Sequence, residues 1–203
     1  MAVSYMSEEE NIRLKRLGIQ VVGPDDDPEV HAASIQIARR LLKTGQKKVG
    51  FWPAGPNVAV PPLAVQLGAA IVELTGSPVA FVDANVRWPV DLALANEQRF
   101  ASDSIFATRW LCGSLAMLIP QHVGAAGAGV PQLKMMLEQS EEYFVHLLVD
   151  LTGYDSLGDH FNAIGLLDGV VVVGLAGSTT EEELLTLERQ IPASKSLGVV
   201  LIG

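Results

Sequence analysis

Short apolar runs alternate with amphipathic stretches along most of the chain. Six runs consist mainly of aliphatic and aromatic side chains, and glycine, proline or a charged residue bounds most of them: residues 48–53, 78–83, 115–119, 145–150, 169–174 and 198–202. Between them, the apolar positions predict helices: residues 63–75, 91–110 (one helix or two), 130–144 and 181–191. Continuous apolar strands are typical of a parallel sheet that is covered on both faces. We therefore predict an α/β fold with three α/β/α layers and a mainly parallel sheet.

Signals for the start and the end of a helix also precede the first strand. Asp27 is placed to cap a helix, Pro28 suits its first position, and Gly45 suits its end. A shorter helix is predicted from the Ser7–Glu10 spacing of a capping box. We expect residues 1–24 to form an N-terminal helical appendage and residues 25–203 to form one domain.

The balance of charge narrows the classes of partner. The chain of 203 residues carries 14 Lys and Arg against 23 Asp and Glu, a formal net charge of −9. Binding to nucleic acid or to anionic lipid needs clustered Lys and Arg, so neither is expected. The apolar runs are too short for insertion into a membrane, residues 1–10 contain no apolar segment typical of a secretory signal, and the lone Cys112 gives neither a disulfide nor a metal site. A cytoplasmic protein is expected.

Candidate chemistry lies where the predicted strands end, because ligands of open α/β sheets bind at the carboxyl ends of the strands. The first strand runs into a loop that contains Gly55, and a helix follows. Asp83 and Asp150 end two other strands. A strand, a glycine loop and a helix, with an Asp at the end of two further strands, is the arrangement of P-loop nucleotide-binding proteins.

From about residue 24 onwards, the chain resembles the MinD/ParA-type deviant Walker group. Within that group it is most similar to the cytoplasmic tyrosine kinase domains of bacterial polysaccharide export (BY-kinases). The matching segments are residues 28–42, 48–70 (the Walker A region), 79–89, 148–150 (the Walker B position) and 167–173. In the segment 79–89, Asp83, Arg87 and Pro89 match the family motif, whereas Asn85 replaces its second Asp. The resemblance implies a P-loop fold of the SIMIBI class. The nucleotide site that it implies comprises Gly55, Asn57, Val58, Ala59, Asp83 and Asp150.

The phosphate loop departs from the family pattern at the positions that carry the chemistry. A P-loop needs a Lys for the β- and γ-phosphates and a Ser or Thr hydroxyl for magnesium. Val58 and Ala59 stand at those two positions, and Asn57 replaces a glycine. The extra Lys of the deviant Walker group is absent, and Pro56 removes a backbone N–H donor. We therefore expect a pseudo-ATPase or pseudokinase that binds neither ATP nor magnesium. An alternative is an active ATPase or kinase with an unconventional loop, and a third, weaker hypothesis is a regulatory ligand sensor.

The two strand-end carboxylates have two interpretations. Asp83 and Asp150 either cap a turn or helix at the end of each strand, or retain weak affinity for a nucleotide or another ligand. The glycine-rich segment 124–129 has the wrong spacing for a dinucleotide motif and is interpreted as a loop.

Aromatic residues near the same end of the sheet suggest a contact with a protein. Trp52, Arg87 and Trp88 are candidates for a partner or homodimer interface, and core packing is the alternative for the tryptophans. A scaffolding or protein-binding role follows from the resemblance. The expected partner is a membrane-associated polysaccharide-export or motility component, which would recruit the protein to the inner membrane.

Overall fold

A computed structural model describes residues 14–15, 18–86, 106–120, 129–155 and 158–203. Its helices are α1 (Pro28–Thr44), α2 (Val60–Thr75), α3 (Gly129–Ser140), α4 (His160–Gly165) and α5 (Glu181–Glu188). Its strands are β1 (Lys48–Pro53), β2 (Val79–Val82), β3 (Phe106–Cys112), β4 (Leu115–Pro120), β5 (His146–Asp150), β6 (Gly169–Leu175) and β7 (Ser196–Ile202).

The strands form one seven-stranded sheet in the order β3-β4-β2-β5-β1-β6-β7. Every pair of neighbours is parallel except β3 and β4, which are antiparallel. The predicted fold class is confirmed. Because β5 lies between β1 and β2, the carboxyl ends of these three strands meet at one edge of the sheet, where ligands of such folds bind.

Each face of the sheet has its own hydrophobic cluster. The first cluster joins one face to α1 and α2, with Ala38 and Leu67 as examples of its helix residues. The second joins the other face to α3, α4 and α5, through residues such as Leu133 and Ala163. Helices on both faces explain why the strands are apolar throughout and do not alternate between apolar and polar residues.

The signals at the ends of α1 act as predicted. The Asp27 carboxylate accepts hydrogen bonds from the backbone N–H groups of Glu29 and Val30, both at 3.1 Å. Pro28 occupies the first turn, and Gly45 ends the helix with a φ of 74°, in the left-handed region that favours glycine. These contacts are local in sequence, which is why the capping residues were sufficient to locate the helix.

The predicted boundary at residue 24 does not separate the described part of residues 1–24 from the domain. Leu14 and Ile19 are buried in the first hydrophobic cluster. The side-chain amide of Gln66 on α2 accepts from the Val22 N–H at 2.7 Å and donates to the Val22 carbonyl at 2.9 Å. This part of the chain is therefore integral to the core, which corrects the expectation of an appendage.

Two elements differ from the predictions. Residues 106–110 belong to β3, not to a helix, because a tight turn at Gly113 (φ 50°) folds this segment back onto β4. The short helix α4 was not predicted. The remainder of the predicted helix over 91–110, and all but the last residue of the glycine segment 124–129, lie outside the described residues. Among the residues described, no helix combines the length and the apolar character that crossing a membrane requires.

Candidate functional site

A cavity of about 550 Å³ lies at the carboxyl end of the sheet. The loop after β1, the turn after β5 and the start of α5 enclose it, with these lining residues: Pro53, Ala54, Gly55, Pro56, Thr152, Gly153, Asp155, Thr180, Glu182, Glu183, Thr186 and Leu187. This is the edge at which open α/β sheets bind ligands. Of the residues predicted for the nucleotide site, only Gly55 lines this cavity.

The loop between β1 and α2 places Val58 in the protein interior. The Val58 side chain is only 6% exposed and belongs to the first hydrophobic cluster, and its N–H donates to the Gly55 carbonyl at 3.2 Å. Its neighbours Asn57 and Ala59 are exposed. Gly55 has no positive φ, and a Cβ there would meet no atom within 4 Å, so its conformation does not require glycine. The side chain at the expected lysine position therefore packs inward, away from the cavity.

The first turn of α2 offers few backbone donors. An α-helix leaves its first four N–H groups without partners inside the helix, and these groups bind anions at helix N-termini. In α2 those four positions are residues 59–62, of which Pro61 and Pro62 have no N–H. Ala59, at the N-cap, makes no side-chain cap hydrogen bond. Two of the four donors that would face a phosphate are thus missing.

Asp83 and Asp150 each hold the turn that follows their strand. Asp83 Oδ1 accepts from the Asn85 N–H at 3.3 Å. Asp150 Oδ1 accepts from the Thr152 N–H at 2.9 Å and also from the Thr152 hydroxyl. Both carboxylates are fully buried. These contacts are typical of strand-end caps, since short side chains of this type favour such local bonds.

The environment of Asp150 disfavours its charged form. Burial raises the pKa of Asp150 to about 7, the hydrogen bonds from Thr152 act in the opposite direction, and the neighbouring charge of Asp83 raises the pKa further. The side-chain amide of Asn85 lowers it. Asp150 Oδ2 has no hydrogen-bond partner among the described residues. Burial and the charge of Asp83 thus favour the neutral form of this carboxyl group.

Negative charge predominates around the cavity. Asp155, Glu182 and Glu183 line it and are exposed, whereas none of the described lining residues is Lys, Arg or His. Glu183 also forms a capping box with Thr180 at the start of α5: its carboxylate accepts from the Thr180 N–H at 2.8 Å, and the pKa of Glu183 is lowered as a result. A negatively charged ligand meets repulsion here.

Tyr154 links the turn after β5 to the start of α3. The Tyr154 hydroxyl donates to the Gly129 carbonyl at 3.1 Å. Burial raises the pKa of Tyr154 well above its usual range, and the charges of Asp159 and Asp150 add to this effect. The Val86 N–H donates to the Thr152 carbonyl at 3.1 Å and so connects the turns after β2 and β5. These two hydrogen bonds connect the turn after β5 to the start of α3 and to the turn after β2.

Trp52 is part of the second hydrophobic cluster and is 2% exposed. Its ring lies against the ring of His160, with 5.2 Å between the centroids. Both ring nitrogens of His160 are buried and have no hydrogen-bond partner among the described residues. The expectation that Trp52 contacts a partner is corrected, because the side chain has no surface to offer. Arg87 and Trp88, the other two predicted interface residues, lie outside the described residues.

Three residues that line the cavity were not predicted to lie together. Asp155, Glu182 and Glu183 are acidic residues in two separate segments, and no motif connects them. The contact between the rings of Trp52 and His160 was not predicted either, because the two residues are far apart in sequence. Among the described residues, no group of three or more His, Cys, Asp or Glu side chains has an arrangement that could hold a metal ion.

Comparison with solved structures places the fold among known proteins. The BceF tyrosine kinase domain is 16% identical, with a TM-score of 0.66, and the match covers 99% of this chain and 91% of that one. The kinase domain of Escherichia coli ETK is 15% identical, with a TM-score of 0.66 and coverage of 86% and 74%. A ParA family ATPase from Chlorobium tepidum TLS is 15% identical, with a TM-score of 0.51 and coverage of 76% and 73%.

Other comparisons found no relative by sequence: no protein-family model matches the chain, and neither does any curated protein. At such low identities the structural matches establish the architecture alone. The resemblance inferred from the order of the motifs is confirmed at that level. The chain has the P-loop ATPase-like fold that bacterial tyrosine kinase domains share with ParA-type ATPases.

Proposed function

We propose that the protein is a non-catalytic member of this fold, a pseudo-ATPase or pseudokinase that acts as a protein-binding module. The observation that carries the proposal is the position of Val58. Where a P-loop lysine would reach the phosphates, an aliphatic side chain is packed in the hydrophobic core. Phosphoryl transfer depends mainly on positioning and on electrostatic stabilisation of the transferred group, and this loop supplies no cation for it.

The residues at the site do not fit magnesium and a triphosphate. A triphosphate requires backbone N–H groups around it, and Pro56, Pro61 and Pro62 remove three such groups from the loop and the first turn of α2. Magnesium at a P-loop also takes a Ser or Thr hydroxyl, and Ala59 has none.

The charge of the cavity supports the same conclusion. A triphosphate would enter a space lined by Asp155, Glu182 and Glu183, with no compensating cation among the described lining residues. Each of these carboxylates repels a negatively charged ligand. A protein partner with a basic surface would meet attraction at the same rim.

The role of the partner follows from the resemblance to polysaccharide-export kinases. We expect the partner to be a membrane-associated component of an export, localisation or polarity machine, which would bring the protein to the membrane. Pro56, Asp155 and Glu182 are exposed where they line the cavity, and this rim is the surface we assign to the partner.

One feature favours the alternative of an active enzyme with an unconventional loop. Asp150 Oδ2 is buried without a hydrogen-bond partner among the described residues, and a buried carboxylate oxygen in that state suits a cation. Binding of nucleotide separates the two functions. Isothermal titration calorimetry with ATP and magnesium at millimolar concentrations should give no heat, while the E. coli ETK kinase domain under the same conditions serves as the positive control. Saturable binding by this chain would establish the alternative.

A second experiment tests the assignment of the partner. The protein is purified from its source cells under native conditions, beside a charge-reversal variant at the rim, Glu182→Lys with Asp155→Lys. The wild-type protein should retain an export or motility component that the variant loses. Equal retention by both forms would remove the rim from the interface, and absence of such components from both would reject the proposed partner class.

A further inference from the structure

The β7 edge of the sheet is less covered than the rest of the fold. None of the seven residues of β7 is buried, although most of them are apolar, and the helix packed beside it, α5, has no buried residue either. Among the described residues, β7 pairs with β6 on one side and with nothing on the other. An unpaired edge presents a row of free N–H and C=O groups to which another strand can bind.

The direction of the backbone identifies which groups are free. The Ala176 N–H donates to the Ile202 carbonyl at 2.8 Å, so Ile202 directs its carbonyl towards β6. Successive residues of a strand direct their backbone groups to opposite sides. Val199 and Leu201 therefore direct their N–H and C=O groups outward, on the side of β7 that has no neighbour.

The side chains of the same two residues form an exposed apolar patch. Val200 and Ile202 pack against the first hydrophobic cluster, which leaves Val199 and Leu201 on the opposite face. Val199 is 41% exposed and Leu201 is 57% exposed. Leu185 on α5 is also 40% exposed.

The edge lacks two of the features that usually prevent pairing between sheets. Edge strands are commonly protected by charged side chains or by proline. Residues 196–202 contain neither. Lys195, which directly precedes β7, is directed elsewhere: its ammonium group donates to the carbonyls of Ile164, Gly165 and Leu167 at 2.8–3.0 Å, at the end of α4. Only the register shift between Val170 and Val172 perturbs the strand, and it lies before Val199.

We infer that β7 pairs with β7 of a second copy of this chain, antiparallel and about a twofold axis at Val200. In this register Val199 of one copy lies opposite Leu201 of the other, and the converse holds, so the outward N–H and C=O groups of both residues are satisfied in both copies. The facing side chains are Val and Leu, which form favourable cross-strand pairs. The register is thus complementary to itself, as a symmetric dimer requires.

The absence of charge on β7 makes its edge a place where two copies of this acidic chain can meet. The chain carries a net charge of −9, which repels other copies over most of the surface. Residues 196–202 are neutral and therefore add no repulsion where the two strands meet. The dimer joins two sheets into one continuous sheet and leaves the cavity at the carboxyl end open to a partner.

Sedimentation equilibrium of the whole chain from about 1 to about 300 µM tests the inference, because small interfaces associate weakly. The mass should rise from that of a 21.7 kDa monomer towards twice that value. Amide hydrogen exchange supplies a local readout: exchange of the Val199 and Leu201 N–H groups should slow by at least tenfold between the two ends of the range, because pairing buries them. A chain that stays monomeric throughout overturns the inference.

Two variants and two controls locate the interface. Leu201→Lys places a charge on the free edge, and Leu201→Pro removes an outward N–H without removing a hydrogen bond to β6. Both should abolish the dimer while the far-ultraviolet circular dichroism stays unchanged. Val30→Lys, at a comparably exposed valine on α1, should leave the dimer intact. Asn57→Lys tests the carboxyl end of the sheet, which the sequence analysis predicted as a possible homodimer interface. If Asn57→Lys abolishes the dimer and Leu201→Lys does not, the β7 interface is wrong.

Discussion

Asp83 and Asp150 lie side by side at the carboxyl ends of β2 and β5, and the charge of Asp83 raises the pKa of Asp150. Two buried carboxyl groups this close disfavour double ionisation. In an active P-loop enzyme a magnesium ion relieves such repulsion. In this chain, hydrogen bonds from the turn after β5 and from the amide of Asn85 stabilise the charged form of Asp150. They offset the effect of the repulsion on its pKa only in part.

The first prediction follows from the sign of this shift. The pKa of Asp150 is about 7 in the folded protein and has its usual low value in the unfolded chain, so the contribution of Asp150 to stability falls as the pH rises from about 4 to about 7. Asp150→Asn removes the charge. It should raise the free energy of unfolding by about 2 kcal/mol more at pH 8 than at pH 5, in urea denaturation.

The control for this prediction is Asp155→Asn, which neutralises an exposed carboxylate of the same turn. It should show little difference between the two pH values. An Asp150→Asn variant that is equally destabilised at pH 5 and pH 8 would contradict the account, since the hydrogen bonds to Thr152 would then outweigh the cost of the buried charge.

The second prediction compares adjacent positions of the loop after β1. Val58→Lys forces an ammonium group into the hydrophobic cluster and should lower the free energy of unfolding by about 2–4 kcal/mol. Asn57→Lys adds the same side chain at an exposed position and should change stability by less than about 0.5 kcal/mol. Thermal and urea denaturation measure both. Equal stability of the two variants would show that Val58 is not part of the core.

The third prediction concerns the connection between residues 18–23 and α2. Gln66→Leu keeps the size of the side chain but leaves the N–H and the carbonyl of Val22 without partners, which should cost about 1–3 kcal/mol. Limited proteolysis should also cut the segment 18–23 faster. Gln36→Leu, at an exposed glutamine on α1, is the matched control and should leave both measurements unchanged.

The fourth prediction concerns the start of α5, which forms one side of the cavity. Thr180→Ala removes the side-chain acceptor for the Glu183 N–H and should destabilise the protein by about 1 kcal/mol. Thr180→Ser keeps a hydroxyl in place and should restore most of the loss. If the serine variant is as unstable as the alanine variant, packing of the threonine methyl group matters more than the cap.

Local signals allowed most of the fold to be predicted from the sequence. The start of α1 depends on Asp27 and Pro28, which act on adjacent backbone groups, and the apolar runs located six of the seven strands of the sheet. β3 was missed because residues 106–110 form a strand only by pairing with β4, after the turn at Gly113. α4 has six residues and carries too short a periodic pattern to be recognised.

The candidate site was predictable in part. Asp83 and Asp150 follow apolar runs, and the topology of a parallel sheet brings the ends of such runs together. The sequence also led to the prediction that Val58 stands where a phosphate loop has its lysine. It did not show that Val58 turns into the core, or that Asp155 and Glu182 meet across a cavity, because these facts depend on how separate segments pack in three dimensions.

The two hydrophobic clusters stabilise the fold without the residues of the loop after β1 that lie at the mouth of the cavity. Residues 55–57 of this loop belong to neither cluster. They therefore contribute little to the packing of the helices against the sheet. Substitutions there can accumulate without unfolding the protein. A scaffold of this kind can abandon one ligand and acquire another while its architecture stays the same.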